Sequence, residues 1–494
     1  MVVPARTGGF AGAHAGNQLK MPHDICYVLS FGLAARTVLH TSLMEELRAR
    51  DLTVAVLCPG ANEAHMQALA QEHALSCYGA PRIGGRVFDR YSFVRRYIHE
   101  DVRSNPALWS RHVRDCERTT RLHKRIRNHV LFAMNRLLCV SGMQAVLPRN
   151  VESCIYTSRA VRNVLTIADP RIVVSTYPVD PLEAVTLAEA RRSGIGTVVQ
   201  LLSWDNITCK GRFPVLADQY LSWGPIMTGE LKDRYGLSGR RVRECGVAHF
   251  DAHVTGVSVE GRRKAFDKIG LKCGSEYLLV GMSSPYFAPG EIEIVEELAR
   301  GVSGGLCGSS MCLVVRPHPQ NVRGYLADES WLPRLRAIEG PRVKICWPEM
   351  HDSVMNWALS KDDMTVLVNV LAGAKVVLNS GSTFSIDALC HYKPVILTLF
   401  DGTAKVPWHR SARRLAEYFH IQKLIGTRGV RVVENYEGMW SCVRKCLSEG
   451  DADKEAVSAA IHLECGALDG RAAARIADAL QDIVVNGKRG REGG

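Results

Sequence analysis

The feature of this sequence that most constrains its fold is a repeated alternation of short apolar runs with amphipathic helical segments. In the first repeat, an apolar run at residues 24–30 is followed by a helical segment at 40–50 and a second apolar run at 52–57. Parallel strands need a crossover between them, and a helix usually provides it. The alternation starts again at residue 277 and continues to residue 402. We therefore predict the α/β class, with two parallel sheets built in succession.

Length and composition predict how these sheets are divided. A chain of 494 residues is too long for one hydrophobic core. Glycines and basic residues interrupt the alternation at 254–276, which we interpret as a linker. The predicted segments are a disordered leader at 1–22, a first domain at 23–253 with a basic helical insertion at about 82–150, the linker, a second domain at 277–469 and a flexible tail at 487–494.

Composition also bears on the location of the protein. No run of about eighteen apolar residues is present, and residues 1–22 lack the apolar core of a secretory signal. The 16 cysteines are scattered and form no Cys-x-x-Cys pair, which favours free thiols in a reducing compartment over disulfides or a metal site. We expect a cytoplasmic protein, with peripheral contact to a membrane face as an open alternative.

The net charge of +12 is concentrated in one segment. Residues 82–136 contain fourteen Lys or Arg, five Asp or Glu and six aromatic residues. One interpretation is a solvated helical face above a stripe that faces the core. The other is a surface for an anionic partner, such as a phosphorylated or lipid-linked acceptor or a membrane. No nucleic-acid-binding motif is present, so we expect no nucleic acid partner.

The first candidate ligand site is the stretch at 376–389, which reads VVLNSGSTFSIDAL. An apolar run of strand type ends at a small polar turn, after which helical spacing resumes. Such a turn collects free N–H groups, hydroxyls and the positive end of a helix dipole, and a phosphate is the usual occupant. Asp387 lies near the same face and is placed to accept hydrogen bonds from ribose hydroxyls. The alternative is an ordinary capped turn. The residues of the turn are Ser380, Gly381, Ser382 and Thr383.

The second candidate is the tetrapeptide Arg-Pro-His-Pro at 316–319, which follows an apolar run. The prolines fix the backbone just beyond a strand end, where open parallel sheets bind their ligands. Arg316 is suited to bidentate phosphate binding, and His318 to donating to an oxyanion or acting as acid or base. In the structural alternative, Arg316 pairs with an acid and His318 lies in a turn.

Another predicted strand of the first half runs into the loop at 203–211. This loop offers a carboxylate, an amide, an ammonium and an indole at a strand end, in Asp205, Asn206, Lys210 and Trp204. In the structural alternative, Asp205 caps the next element and Trp204 lies in the core. Further strands of the second half end near Gly281, Ser283, Trp347 and Glu349, and we expect these termini to meet at one edge.

Taken together, these segments resemble the GT-B group of nucleotide-sugar-dependent glycosyltransferases. More narrowly, they resemble enzymes of surface or capsular polysaccharide synthesis, CDP-glycerol glycerophosphotransferases and UDP-N-acetylglucosamine 2-epimerases. The resemblance implies two Rossmann-like domains facing across a cleft, with the nucleotide held by the second domain and the acceptor by the first. It also implies that a last helix, at about 470–486, crosses back to the first domain. The matching pieces are residues 203–211, 247–251, 316–319, 379–389, 393–395 and 469–476.

Departures from these families narrow the activity. The glycerophosphotransferases carry a Trp-His-Gly motif where this chain reads Ser-Trp-Asp-Asn at 203–206, which favours sugar transfer. The acidic and histidine motifs of the epimerases do not occur in order. The Asp-x-Asp at 451–453 lies in a polar segment, so no metal ion is predicted and no cofactor beyond the nucleotide-sugar substrate.

The resulting hypothesis is a metal-independent glycosyltransferase that moves a sugar from a nucleoside diphosphate sugar to a hydroxyl of a glycan or lipid-linked acceptor. Arg316 and the turn at 380–383 would stabilise the leaving diphosphate. Asp205 is the first candidate for the base and His318 the second. The remaining predicted donor contacts are Asp387, Gly281, Ser283, Trp347 and Glu349, and the predicted acceptor contacts are Trp204, Asn206 and Lys210. The alternatives are a glycerophosphotransferase and a catalytically silent GT-B scaffold.

Overall fold

The computed structural model describes residues 22–143, 150–322, 328–450 and 453–492. The leader predicted at 1–22 lies almost wholly outside the described residues. Two parallel sheets form the framework, so the predicted α/β class is confirmed. All sixteen cysteines are free thiols. In the described part of the chain, no helix is long and apolar enough to span a bilayer.

The first sheet has seven strands in the order β3-β2-β1-β4-β5-β6-β7, and all its neighbours pair in parallel. Strand β2 is apolar along its whole length, and β1 and β4 are apolar at their centres, because helices cover both faces of the sheet. The strands are β1 (His23–Val28), β2 (Val54–Cys58), β3 (Ser76–Gly79), β4 (Pro170–Ser175), β5 (Gly196–Gln200), β6 (Gln219–Ser222) and β7 (Val242–Glu244).

The helices of this domain connect the strands and carry the insertion. They are α1 (Gly32–Leu39), α2 (Leu43–Arg48), α3 (Ala64–His73), α4 (Arg86–His99), α5 (Pro106–Arg118), α6 (Leu122–Val140), α7 (Asn150–Ile155), α8 (Arg159–Ala168), α9 (Pro181–Arg192), α10 (Asn206–Cys209), α11 (Pro225–Tyr235) and α12 (Asp251–Thr255). The basic segment is helical as predicted, in α4, α5 and α6. Helices α7 and α8 are separate, and Ser158 caps the second, its hydroxyl accepting from the N–H group of Val161.

The second sheet has six parallel strands in the order β10-β9-β8-β11-β12-β13. Its strands are β8 (Tyr277–Gly281), β9 (Cys312–Arg316), β10 (Val343–Ile345), β11 (Val376–Asn379), β12 (Val395–Thr398) and β13 (Arg431–Val433). Its helices are α13 (Val259–Ile269), α14 (Glu291–Ser303), α15 (Pro319–Val322), α16 (Trp331–Ile338), α17 (Lys361–Gly373), α18 (Phe384–Leu389), α19 (Phe419–Gly426), α20 (Tyr436–Glu449) and α21 (Lys454–Cys465).

The segment predicted as a linker at 254–276 is largely helical. Helix α13 occupies its centre and packs against α17 of the second domain. Ala265, Phe266 and Ile269 are buried on its inner face, while its outer face carries the basic residues that made the segment look exposed. The linker prediction is therefore wrong over this helix, which belongs to the second domain.

The last helix, α22 (Ala472–Glu492), returns to the first domain, as the predicted architecture requires. Both carboxylate oxygens of Asp251 accept hydrogen bonds from its first N–H groups, those of Ala472 and Ala473, at 2.9 and 2.8 Å. Ile476 and Leu480 are buried in the core of the first domain beside α2. The helix starts close to the predicted position and continues beyond residue 486, through part of the predicted tail.

The two sheets present their carboxyl ends to each other across the domain interface. The backbone at Gly32, just after β1, lies so close to Ala358 of the second domain that a Cβ atom at this position would overlap it. The N–H group of Gly32 donates to the carbonyl of Asn356 at 2.8 Å. On another side of the interface, Lys423 and Glu230 form an ion pair at 2.5 Å. The ends of both sheets therefore line one interdomain cleft.

Candidate functional site

The side chain of Asn379 organises the turn after β11. Its Oδ1 accepts hydrogen bonds from the N–H groups of Gly381 and Ser382, at 2.8 and 3.1 Å. Two of the donors expected for a phosphate are therefore already engaged. Gly381 has a φ of 80°, which glycine adopts without strain. The N–H group of Thr383 and the hydroxyls of Ser382 and Thr383 have no hydrogen-bond partner among the described residues.

Ser380 and Ser283 bind within the second domain. The buried hydroxyl of Ser380 donates to Glu291 at 2.6 Å, and the other oxygen of Glu291 accepts from the N–H group of Ser283 at 2.6 Å. Burial raises the pKa of Glu291 to about 7. These groups tie the ends of β11 and β8 to helix α14. The geometry thus gives Ser380 and Ser283 a structural role instead of the predicted ligand role.

Asp387 is also paired. His253 Nε2 lies 2.8 Å from Asp387 Oδ1, and His253 Nδ1 lies 2.9 Å from Nε2 of His391. Burial favours a raised pKa for Asp387, but His253 and Arg36 outweigh it and lower the pKa. One carboxylate oxygen of Asp387 is thus engaged by His253, and a ribose contact would have to use the other.

Arg316 matches the structural alternative. Its Nη2 lies 2.6 Å from each oxygen of Asp363 on α17, and its Nη1 donates to the carbonyls of Cys346 and Trp347 at 3.3 and 3.2 Å. Both residues of the ion pair are buried. The guanidinium is therefore occupied within the protein, and the geometry replaces the predicted phosphate contact by a role in positioning the strand ends.

His318 retains a free donor. Its Nδ1 accepts a hydrogen bond from the N–H group of Gln320 at 3.1 Å, which places the ring proton on Nε2. Burial and the nearby Arg316 lower the pKa of His318 to about 4. At neutral pH the ring is uncharged and can donate to an oxyanion through Nε2–H. As a general base it would be weak.

Three further predicted donor contacts have structural explanations. A Cβ atom at Gly281 would overlap the ring of Phe384, so this glycine permits the close packing of β8 against α18. The carbonyl of Trp347 accepts from Arg316. The carboxylate of Glu349 forms an exposed ion pair with Lys268. The N–H group of Glu349 donates to Asp363, the partner of Arg316, at 2.9 Å, so its backbone lies beside the predicted arginine while its carboxylate binds elsewhere.

The loop at 203–211 lies at the domain interface. Trp204 is buried and packs edge-on against His420 of the second domain, with ring centroids 4.7 Å apart. Asn206 is buried too, and its Oδ1 accepts from the N–H group of Ser203 at 3.2 Å. These contacts fix the loop. The geometry therefore does not favour direct contact between an acceptor and Trp204 or Asn206.

Asp205 and Lys210 form an ion pair at 2.9 Å in this loop. Burial favours a raised pKa for Asp205, but Lys210 and His420 outweigh it and lower the pKa to about 2. A carboxylate with so low a pKa is a poor proton acceptor at neutral pH. Lys210 is partly exposed and remains available at the cleft.

Arg36 on helix α1 is a site residue that the sequence reasoning missed. It extends from the first domain towards the second, where its Nη2 donates to the sulfur of Met364 at 2.9 Å. Its Nε is buried and has no hydrogen-bond partner within the described residues. Burial lowers the pKa of Arg36 in spite of the nearby Asp387 and Asp363. Asp387 and Asp363 interact with Arg36 electrostatically, but neither carboxylate accepts a hydrogen bond from its guanidinium among the described residues.

Asp180 is a second residue that was missed. It follows β4 and caps helix α9, accepting from the N–H group of Leu182 at 2.8 Å. Burial and the neighbouring Glu183 raise the pKa of Asp180 to about 7. Asp180, Asp205 and Lys210 all lie close enough to the phenol of Tyr177 to shift its pKa. Asp180 is therefore near the predicted acceptor loop and has a pKa suited to a base.

Aromatic rings connect the two halves of the cleft. Tyr177 packs edge-on against Phe31 at 5.4 Å between centroids, Phe31 against Trp357 at 5.9 Å, and Trp357 against His318 at 6.2 Å. Trp357 has a φ of 60°, a conformation that costs a non-glycine residue about 1–2 kcal/mol. This row of rings runs from Tyr177, three residues before Asp180, to the imidazole of His318.

Two facing parallel-sheet domains with a returning last helix define the GT-B fold. Solved structures share it over almost the whole chain. The UDP-GlcNAc 2-epimerase from Neisseria meningitidis, bound to UDP-GlcNAc, is 11% identical, with 94% of this chain and 100% of that chain covered and a TM-score of 0.54. The MnaA protein of S. aureus, in a structure with UDP, is 11% identical, with 94% and 97% covered and a TM-score of 0.54.

A glycosyltransferase from Rickettsia africae is 9% identical, with 94% of this chain and 99% of that chain covered and a TM-score of 0.50. The resemblance to GT-B glycosyltransferases and 2-epimerases that the sequence motifs predict is thus confirmed for the fold. No protein-family model and no curated protein sequence matches the chain.

Proposed function

We propose that this protein is a metal-independent glycosyltransferase that moves a sugar from a nucleoside diphosphate sugar to a hydroxyl of a glycan or lipid-linked acceptor. The observation that carries the proposal is Arg36, a half-buried arginine whose Nε is buried and unpartnered in the cleft of a GT-B fold. A buried donor without a partner is costly to the free protein, and an anionic ligand would satisfy it.

The diphosphate of the donor would lie between Arg36 and the turn after β11. Charge-assisted hydrogen bonds from a guanidinium to phosphate oxygens are among the strongest in proteins. The free hydroxyls of Ser382 and Thr383 and the Nε2–H of His318 supply neutral donors in the same region. As the glycosidic bond breaks, these fixed donors would stabilise the negative charge that develops on the leaving diphosphate.

The acceptor hydroxyl would lose its proton to Asp180. A general base is most effective when its pKa is close to the working pH, which fits a pKa of about 7 for Asp180 and disfavours Asp205. Asp205 instead pairs with Lys210, and the ammonium of Lys210 has further N–H donors that can orient an anionic part of either substrate. The exposed part of the indole of Trp357 offers an apolar surface for a sugar ring.

Three other activities remain alternatives. The chain could transfer glycerophosphate from CDP-glycerol, or bind a nucleotide sugar without turnover. The neighbouring epimerase structures add a third alternative, interconversion of the donor sugar itself, which would leave the nucleotide attached to the sugar.

A donor panel separates these activities. The full chain is incubated with UDP-, CDP- and GDP-sugars and with CDP-glycerol, with and without extracts that contain acceptors. We expect acceptor-dependent release of a nucleoside diphosphate. Release of CMP from CDP-glycerol would favour glycerophosphate transfer, and a new sugar epimer without release would favour the epimerase. Binding with no change in any donor would leave only the silent scaffold.

Matched variants show whether the cleft is responsible. Asp180→Asn and Arg36→Met should each strongly lower the rate of release. The same substitutions at exposed positions on α13, Asp267→Asn and Arg263→Met, should leave it unchanged. Equal loss in the α13 variants, or full activity in the cleft variants, would contradict the assignment of the site.

A further inference from the structure

Helix α6 of the insertion carries an apolar stripe that faces solvent. Leu122, Ile126, Val130, Leu137 and Val140 are between 54% and 79% exposed. Their spacing of four, four, seven and three residues places them on one face of the helix. Single exposed aliphatic residues are ordinary on a protein surface, but five on one helical face form a continuous patch.

The opposite face of α6 is the one that packs on the protein. Asn135 is fully buried there and donates to the carbonyls of Tyr97 and Glu100, at 2.8 and 2.6 Å. Phe132 packs against Trp109 of α5 with ring centroids 5.3 Å apart. Helix α6 therefore has two apolar faces. Among the described residues, no helix or strand covers the face that carries the exposed stripe.

The margins of the stripe are cationic. Helix α6 contains Lys124, Arg125, Arg127 and Arg136 and no acidic residue; with 3.6 residues per turn, the three arginines lie at the margins of the stripe, and Lys124 lies away from it. Arg136 pairs with Asp101, and Arg127 lies over an aromatic ring. In the described part of the chain, the ammonium of Lys124 and the guanidinium of Arg125 have no acidic partner. An apolar stripe bordered by cations complements a bilayer surface that contains anionic lipids.

Helix α5 links this surface to the cleft. Asn105 at its start donates to the carbonyl of Thr208 in the loop at 203–211, at 2.8 Å. Its Arg114 donates to the carbonyls of His409 and Tyr286 in the second domain, at 2.7 and 2.8 Å. One layer of helix thus separates the outer face of α6 from the side of the cleft that we assign to the acceptor.

From this geometry we propose that the protein docks peripherally on an anionic lipid bilayer through the outer face of α6, with the stripe at the level of the lipid headgroups. The proposal does not depend on the chemistry proposed for the cleft. If both hold, the acceptor side of the cleft lies close to the membrane surface, where a lipid-linked acceptor would be presented.

Vesicle flotation tests the docking with the full chain and without any nucleotide sugar. The vesicles contain phosphatidylcholine alone or phosphatidylcholine mixed with phosphatidylglycerol. We expect binding only to the mixed vesicles, and weaker binding as salt is added, because salt screens the cationic margin. A wild-type chain that does not float with the mixed vesicles would overturn the proposal.

Two pairs of variants separate the apolar and the charged contributions. Leu122→Ser with Ile126→Ser should lower the partition coefficient by about tenfold or more, because two large aliphatic side chains no longer enter the interface. Arg125→Glu with Arg127→Glu, one at each margin of the stripe, should remove the dependence on anionic lipid. Helix α13 provides the controls: Val259→Ser, and Arg263→Glu with Lys264→Glu, change exposed residues on another domain and should not alter flotation.

The same variants distinguish a lipid from a second copy of the chain. Circular dichroism checks that each variant is folded, and light scattering after gel filtration gives its mass. A wild-type dimer that the Leu122→Ser, Ile126→Ser pair converts to a monomer, with unchanged flotation, would overturn the lipid proposal. Loss of flotation in a folded variant of unchanged mass would support it.

Discussion

Replacing Arg36 by methionine should stabilise the free protein while weakening its binding of a nucleoside diphosphate. Methionine keeps most of the volume of the side chain and removes the buried, unpartnered Nε–H donor. An unsatisfied buried donor costs about 1–3 kcal/mol, so the free variant should gain roughly 1–2 kcal/mol. In a domain of about 200 residues, this gain corresponds to about 2–8 °C in Tm.

Arg316→Met is the matched contrast, since it makes the same change at a paired guanidinium. Its removal would leave Asp363 buried without its ion-pair partner, and breaking such a pair costs about 3–5 kcal/mol. The two substitutions should therefore shift Tm in opposite directions. The different partners of the two arginines, rather than their similar positions at the cleft, account for the expected difference.

Addition of UDP should remove or reverse the stability advantage of Arg36→Met over the wild type. At a concentration one hundred times its Kd, the nucleotide stabilises the wild type by about 2.7 kcal/mol. Loss of a charged contact worth about 2 kcal/mol weakens binding roughly thirtyfold, which leaves about 0.9 kcal/mol of stabilisation in the variant. Differential scanning fluorimetry with and without UDP measures both effects. Equal protection of the two proteins, or a Tm decrease in free Arg36→Met like that of Arg316→Met, would refute the reasoning.

Three further predictions concern other parts of the cleft. Asp180→Asn should lower kcat by about a hundredfold or more with unchanged protection by UDP, and wild-type activity should rise with pH through about 7, as the base loses its proton; a pH-independent rate would exclude it. Burial and the nearby Glu230 raise the pKa of Glu464 to about 8, so native stability should fall as pH rises from 4.5 to about 8. Glu464→Gln should remove this loss, and its Tm advantage in fluorimetry should grow with pH; a constant difference would contradict the assignment. Gly32→Ala should hold the domains apart, since its Cβ would overlap Ala358, and small-angle scattering should show a larger radius of gyration; an unchanged radius would show that the backbone accommodates the methyl group.

Local patterns were sufficient to predict the layered fold. The apolar run at 376–379 and the polar turn after it are determined by neighbouring residues, and β11, the turn and α18 follow them closely. The short strands β3 and β13 were not predicted, because their residues are partly exposed at sheet edges and lack a continuous apolar run. Helix α13 was taken for a linker because its buried face has few apolar residues.

The candidate site was less predictable, because the partner of each polar residue is distant in sequence. Arg316 is bound by Asp363, and Asp387 by His253, over separations that no local pattern encodes. Arg36 did give a local signal: it is the charged residue in the otherwise buried run of α1, which reads GLAARTVL. A charge in such a run requires either a partner or a ligand. This argument would have identified Arg36 as a candidate site residue.

The return of α22 has a consequence for how the protein is made. Asp251 and the core beside α2 make their last contacts with α22. The first residues of this helix leave the ribosome about 220 residues after Asp251. At synthesis rates of about 5–20 residues per second, the first domain would wait roughly 10–45 s with an uncovered apolar face. During that interval the nascent chain is a natural substrate for chaperones. A stop codon before residue 472 would therefore damage the domain at the opposite end of the sequence, in addition to the one being completed.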